Sequence, residues 1–219
     1  SWGGPGKNDG QFNIPRSIVQ DSRRNYYVTD ELNHRIQKFD SNGNHLATYS
    51  GWGSGDGQLK VQQGLSIDAQ DRLYVADTYN SRIQVFQTYP EWKFLKKFGT
   101  YGVNKPFNIY SFQPGIFNHP RGVYVEKSTG RVAVTDSSNN RVMVYNNYNS
   151  NFSFYQSQNG AVTMSLPTHS IMEDNRLLVL DSHSRILKYN SILNNTTLFS
   201  QYGTTRNSNT QFSNPQSVT

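Results

Sequence analysis

The chain has 219 residues, of which 34% are hydrophobic and 13% aromatic, enough to bury the core of one or two domains. Only 16% are charged, and the net charge of +6 is too modest for the dense basic block of a nucleic-acid-binding tail. Cysteine is absent from these residues, which excludes disulfides, zinc–thiolate sites and cysteine nucleophiles within them. No apolar run approaches the roughly 18 residues of a membrane span, so we expect no membrane insertion.

Short β-type segments follow one another from the N-terminus. The first four read RSIVQD, NYYVTD, RIQKF and HLATYS, and each alternates apolar with polar residues or is rich in Val, Ile and Tyr. Turns rich in Asp, Asn, Gly and Ser separate them, including DSNGN at 40–44, which favours a hairpin because Asn and Gly accept positive φ. The same succession of four strands returns along the chain. The sequence therefore predicts an all-β fold.

Two markers repeat in a fixed order. The first is the pattern Asp-x-x-Asn-x-Arg, here called the hexad, which occupies 30–35, 77–82 and 136–141; a shortened copy runs from Asp181 to Arg185. The second is a proline column, which contains Pro15, Gln62, Pro120, Pro167 and Pro215. Successive members are 47, 58, 47 and 48 residues apart. The period is therefore near 47, with one insertion between Gly99 and Pro120.

A four-stranded antiparallel unit with this period predicts a β-propeller blade. We predict blades at about 15–51, 62–99, 120–157 and 167–203, and the start of another at 212–219. Stacking blades in a ring covers both apolar faces of each sheet. Four blades and the start of a fifth do not close a six-bladed ring, so we expect the chain to be part of a longer polypeptide or assembly.

Several motifs together resemble NHL repeats. They are GDGQF, the proline column, YVTD and YVAD, and the run Asn33-His34-Arg35-Ile36. The resemblance covers nearly all of the chain and is strongest in the first two repeats. It implies a β-propeller, most often six-bladed, of the kind that this family uses mainly to bind protein or RNA. Some members of the family are metal-dependent lyases.

The recurrence of the hexad in every blade indicates a role in the scaffold, because turn chemistry must repeat whereas function rarely does. We expect the Asp to cap amides of its own turn, the Asn to adopt a strained backbone conformation, and the Arg to reach the Asp carboxylate. The residues concerned are Asp30, Asp77, Asp136, Arg35, Arg82 and Arg141.

In a four-stranded meander, the turn between strands two and three lies at the same end as the link to the next blade. We call this end the hexad face. The sequence places ten basic and seven acidic residues there, and the insertion falls there as well. The insertion contains three aromatic residues beside Lys105, a combination that suits the binding of peptides, sugars or unpaired bases. The alternative is that these aromatic side chains pack onto the blade edge. The predicted binding residues are Lys105, Phe107, Tyr110, Phe112 and Arg121, with the turn positions Tyr79, Asn80 and Asn140.

These features predict a non-catalytic binding or scaffold module for a protein or glycan partner. Single-stranded RNA binding by the mildly basic hexad face is the alternative, and a metal-dependent lyase or hydrolase is the third possibility. The lyase reading follows from a resemblance to amidating lyases, whose histidines converge on zinc from the starts of innermost strands. Here His169 occupies such a place, but the same column reads Ser17, Gly64, Gly122 and Ser217. One histidine stands where a catalytic zinc needs about three ligands, so we predict no cofactor and keep His169 as a weak metal candidate.

The neutral-polar composition is commoner in secreted proteins and favours an extracellular location, although an Asn-rich genome could also produce it. The sequons at Asn151, Asn194 and Asn195 permit glycosylation without arguing for it.

Overall fold

A computed structural model of the chain describes residues 2–102, 115–147, 164–173, 175–182, 185–189 and 198–202. Within these ranges the regular structure consists of strands, with single 3-10 turns at Glu31–Asn33, Thr78–Asn80 and Ser137–Asn139. The helical turns found there are all far too short to cross a membrane. The all-β prediction is therefore confirmed.

The strands form consecutive sheets whose order follows the chain. The first sheet contains β1 (Pro15–Gln20), β2 (Tyr26–Asp30), β3 (Arg35–Phe39) and β4 (His45–Tyr49). The second contains β5 (Leu65–Ile67), β6 (Arg72–Asp77), β7 (Arg82–Gln87) and β8 (Lys93–Phe98). A short parallel pair follows, β9 (Thr100–Tyr101) with β10 (Ile116–Phe117).

The third sheet contains β11 (Pro120–Val125), β12 (Val132–Asp136) and β13 (Arg141–Tyr145). The fourth contains β14 (His169–Glu173), β15 (Arg176–Asp181), β16 (Arg185–Tyr189) and β17 (Leu198–Tyr202). All pairings within these four sheets are antiparallel. The outer strand expected for the third blade and the blade start expected at 212–219 lie outside the described residues.

The four sheets are stacked face to face around a channel, which is the architecture of a β-propeller. The first strands of the sheets, β1, β5, β11 and β14, line this channel, whose volume is about 920 Å³. An apolar layer separates each sheet from the next, formed by residues such as Tyr27 and Leu65, then Val85 and Val123, then Val142 and Val179. Because the third sheet is packed on both faces, β12 and β13 are buried along their whole length and show no alternation of exposure.

The hexad joins each sheet to the link that precedes it through one buried carboxylate. In the second sheet, the Asp77 Oδ1 accepts the Lys60 amide N–H at 2.8 Å, and its Oδ2 accepts Arg82 Nε at 2.7 Å and Asn80 Nδ2 at 2.9 Å. The Arg82 guanidinium also donates to three carbonyls of the same link, those of Ser54, Gly55 and Gln58. We call this group of contacts the hexad clamp.

The other sheets have the same clamp. Asp30 accepts the Asn13 amide at 2.6 Å and Arg35 Nε at 2.7 Å. Asp136 accepts the amide of Asn118 and the Nε of Arg141, both at 2.7 Å. In the shortened fourth copy, Arg185 pairs with Asp181, which also accepts the Ser165 amide at 3.3 Å. The clamp is therefore a repeated part of the scaffold.

Two details of the predicted hexad geometry are wrong. The hexad aspartates make no side-chain bond that caps their own 3-10 turn, because their oxygens are taken up by the link and by the Arg and Asn. The left-handed conformation falls on the residue after the hexad Asn, namely His34, Ser81 and Asn140, with φ between 52° and 55°. The Asn itself bridges two segments: Asn80 Nδ2 donates to the Gly53 carbonyl at 2.8 Å as well as to Asp77.

Removing one hexad carboxylate should destabilise the fold strongly. Asp77→Ala leaves the Arg82 guanidinium buried without its counter-charge, and breaking a buried pair in this way costs about 3–5 kcal/mol. Urea denaturation measures the change in the free energy of unfolding. The matched control is Asp56→Ala, which removes an exposed partner of Lys97 and should cost less than about 1 kcal/mol. Equal losses in the two variants would contradict the clamp.

Candidate functional site

The links that enter the first and second sheets on the hexad face each double back on themselves. In the link to the second sheet, Leu59 bridges to Trp52, and the Gly53 amide donates to the Leu59 carbonyl at 3.1 Å. Leu59 is fully buried beneath the link. Gly53 has a φ of +155°, a backbone conformation that L side chains rarely adopt, so the reversal requires glycine there. The first link has the same form, with Pro5 bridging to Phe12.

The insertion is an enlarged copy of this link. Its two ends are joined by the parallel pairing of Tyr101 with Phe117, the counterparts of Trp52 and Leu59. The third clamp holds this base, because Arg141 donates to the Ile116 carbonyl at 2.6 Å and Asn139 to the Gly102 carbonyl at 3.0 Å. The insertion therefore leaves and rejoins the propeller on the hexad face. Its predicted binding residues, Lys105, Phe107, Tyr110 and Phe112, lie outside the described residues.

Three aromatic side chains are exposed on this face around the second sheet. Trp52 and Tyr101, at equivalent places in consecutive links, are each 67% exposed, and Tyr79 in the turn between β6 and β7 is 54% exposed. Tyr79 meets the His119 ring edge-on, with the centroids 5.2 Å apart. Sequence reasoning selected Tyr79 but missed Trp52 and Tyr101. The sequence feature that could have identified them is the aromatic–glycine pair at the start of each of these two links.

The two predicted asparagines both make structural contacts. Asn80 is the hexad Asn of the second clamp and is bonded to Asp77 and to the Gly53 carbonyl, so it does not belong to the variable turn positions. Asn140 is exposed, and its Oδ1 accepts the Leu166 amide of the next link at 2.8 Å. His34 holds the equivalent place in the first sheet, where its Nδ1 accepts the Val61 amide at 3.1 Å. In the first and third sheets, the position after the hexad Asn thus connects one blade to the next link.

Half of the ten basic residues assigned to the hexad face are already ion-paired. The pairs are Arg16–Glu31, Arg35–Asp30, Arg82–Asp77, Arg141–Asp136 and Arg185–Asp181. Their carboxylate partners are buried, so these charges are neutralised within the scaffold. The pairs remove equal numbers of basic and acidic residues, so the net charge of the face is unchanged while fewer of its basic side chains are free to contact a partner.

Arg121 and His169 meet at the mouth of the channel. A cavity of about 120 Å³, here called the channel-mouth cavity, lies among the first residues of the four inner strands. Its lining residues are Arg16, Ser17, Gln63, Gly64, Arg121, Thr168 and His169. Burial lowers the pKa of His169, which favours the neutral imidazole.

The glycines in the His169 column have a packing role. A Cβ on Gly64 would lie 2.7 Å from the Arg121 carbonyl oxygen, and one on Gly122 would lie 2.8 Å from Thr135 Oγ1. Gly64 thus lies against the next inner strand, whereas Gly122 lies against β12 of its own sheet and 3.1 Å from the Thr168 carbonyl oxygen before the next inner strand, so neither place has room for a side chain. In the described parts of the chain, no three His, Asp or Glu side chains are grouped so that they could hold a metal ion.

The lowered pKa of His169 predicts a pH dependence of stability. The unfolded chain, with a His pKa near 6.5, binds this proton more readily than the folded protein does, so the free energy of unfolding falls as the pH drops from 6.5 toward the lower folded pKa. Urea titrations at pH 7.5 and pH 5.5 measure this change. Between these two pH values, the free energy of unfolding should fall less in His169→Gln than in the unmodified protein. An unchanged pH dependence in His169→Gln would refute this assignment.

Three segments of the chain, 12–39, 63–86 and 117–145, match the family model described as NHL repeat. They cover three of the sheets from the inner strand to the strand after the hexad. No curated protein sequence matches the chain significantly.

Similar solved structures are propellers of low sequence identity. A nidogen–laminin complex is 13% identical with a TM-score of 0.64, covering 87% of this chain and 64% of that one. Virginiamycin B lyase from Staphylococcus aureus is 16% identical with a TM-score of 0.59, covering 84% and 55%. The RRP9 WD40 repeats are 12% identical with a TM-score of 0.63, covering 84% and 50%. The chain thus spans about half to two thirds of these structures, and at such identities the likeness concerns the fold alone.

Proposed function

Because the chain is an NHL-repeat β-propeller, we propose that it is a non-catalytic module that binds a protein or glycan partner through the hexad face. The observation that carries this proposal is the exposure of Trp52, Tyr79 and Tyr101 on loops held by the hexad clamps. Trp and Tyr side chains are enriched among the residues that dominate binding at interfaces.

The clamps make these aromatics suitable anchors. The carbonyl of Gly53, directly after Trp52, accepts the Asn80 side chain, and the carbonyl of Gly102, directly after Tyr101, accepts the Asn139 side chain. The backbone that presents each ring is therefore fixed before a partner arrives. Trp and Tyr also lose little conformational entropy on binding, because each has only two side-chain torsions. Preorganised rings of this kind stack on sugars or fill pockets of a protein partner.

Charge favours a protein or glycan over single-stranded RNA. RNA binding depends on cations that are free to neutralise phosphates. The hexad arginines are instead paired with buried aspartates, as in Arg82 with Asp77 and Arg141 with Asp136. A protein partner also agrees with the nidogen–laminin relative, which is a complex of two proteins.

The non-catalytic part of the proposal rests on how the reactive side chains are used. The hexad aspartates are bonded on both oxygens, His34 accepts a link amide, and His119 contacts Asn118 and the Tyr79 ring. These groups serve the scaffold. Because the lyase from Staphylococcus aureus has a similar fold, metal analysis of the purified protein is a necessary check, and stoichiometric zinc would contradict the proposal.

Single alanine substitutions of Trp52, Tyr79 and Tyr101 test the proposed surface. Glycan and peptide arrays first identify ligands of the unmodified protein. Each substitution should weaken the binding of these ligands by about 1–3 kcal/mol while leaving the melting temperature almost unchanged. Tyr89→Ala is the matched control, because Tyr89 is 56% exposed on the opposite face, beneath the Arg23 guanidinium. Equal effects from all four variants would refute the hexad face as the binding surface. If the protein instead bound RNA but no array ligand, with an affinity that fell steeply as the salt concentration rose, single-stranded RNA binding would be favoured.

A further inference from the structure

The channel-mouth cavity contains two arginines, but only one of them has a counter-ion. Arg16 donates from Nε to Glu31 Oε2, and the Gln63 side-chain amide donates to the other oxygen of Glu31 at 2.9 Å. Glu31 is buried, and its negative charge neutralises that of Arg16. None of the residues that line the cavity is acidic.

Arg121 is the remaining cation. It comes from the second residue of β11, is half-buried, and has no hydrogen-bond or ion-pair partner for its guanidinium within the described ranges. The cavity therefore has one positive charge in excess.

Neutral donors face the same space. The Ser17 oxygen accepts the Leu65 amide at 3.2 Å, which leaves its hydroxyl proton without an acceptor among the described residues. His169 lines the cavity, and no described residue forms a hydrogen bond to its ring. Together with Arg121, these groups supply donors to a space that contains no matching acceptor. Such an arrangement fits an oxyanion.

Size and charge narrow the choice of oxyanion. A volume of about 120 Å³ is slightly below the roughly 150 Å³ of a cavity that holds benzene, so only a small group fits. One excess positive charge balances a monoanion, whereas a phosphate dianion would leave a negative charge uncompensated. We propose that the channel-mouth cavity binds a carboxylate group, with Arg121 as its principal anchor and Ser17 and His169 as additional donors.

This site goes beyond the partner surface proposed above and does not depend on it. Its lining comes from the inner strands, whereas Trp52, Tyr79 and Tyr101 lie on the links and the turn. The carboxylate could belong to a free small molecule or to the end of a peptide chain. Both sources present the same planar, singly charged group.

Acetate titration followed by NMR tests the site, with the amides of Gly64, Gly122 and His169 as reporters. We expect saturable shifts at these amides. Arg121→Gln should weaken acetate at least about tenfold, and Arg121→Lys, which keeps the charge but loses the planar fork, should weaken it less. Lys60→Gln is the matched control, since Lys60 is a half-buried cation of the hexad face outside the cavity, and should change the affinity by less than about twofold.

Further ligands separate the possible sources. If N-acetylated diglycine with a free carboxylate binds more tightly than acetate, the ligand is the end of a peptide chain. If the two bind equally, the ligand is a small free carboxylate. The C-terminal amide of N-acetylated diglycine should not bind in either case. Absence of saturation, equal weakening by Arg121→Gln and Lys60→Gln, or tighter binding of inorganic phosphate than of acetate would each overturn the proposal. These results are independent of the aromatic substitutions, so either proposal can fail without the other.

Discussion

A single buried carboxylate in each blade determines the conformation of the hexad face. Burying an ion pair such as Asp77–Arg82 is costly unless the remaining polar groups also find partners. Here the carboxylate accepts from Lys60, Asn80 and Arg82, and the guanidinium donates to link carbonyls with the N–H groups that the carboxylate does not use. The pair is therefore compatible with burial only when turn and link are in register. This requirement couples each sheet to the segment that enters it.

The coupling explains how glycine-rich links can present fixed side chains. The link at 51–57 contains four glycines, a composition that would otherwise favour many conformations. The clamp instead holds its carbonyls at Gly53, Ser54 and Gly55, and Leu59 fixes its far end in the core. The ring of Trp52 is thereby exposed from an ordered backbone. The same physical arrangement supports Tyr101 at the base of the insertion, and the glycine column of the inner strands keeps the channel mouth narrow enough for Arg121 and His169 to share one small cavity.

The strands, the sheet order and the hexad turn could be predicted from sequence because they depend on repeated side-chain patterns. The acceptor role of the hexad Asp toward the link could not, because its donor is a backbone amide that any residue supplies. The separation is nevertheless nearly constant: 17 residues for Asn13 and Asp30 and for Lys60 and Asp77, 18 for Asn118 and Asp136, and 16 for Ser165 and Asp181. Asn80 was assigned to binding although it occupies the repeated Asn column, an error that the repeat itself could have prevented. Whether an aromatic in a link is exposed depends on tertiary packing, which is why Trp52 and Tyr101 were missed.

Amide hydrogen exchange at Asn13, Lys60 and Asn118 tests the central claim most directly, since these residues donate their backbone N–H groups to the three complete hexad carboxylates. All three lie outside the strands, where amides usually exchange fast. The clamp predicts protection comparable to that of the central strands β6 and β12. Exchange of these three amides as fast as that of exposed loop amides would show that the carboxylates do not hold the links.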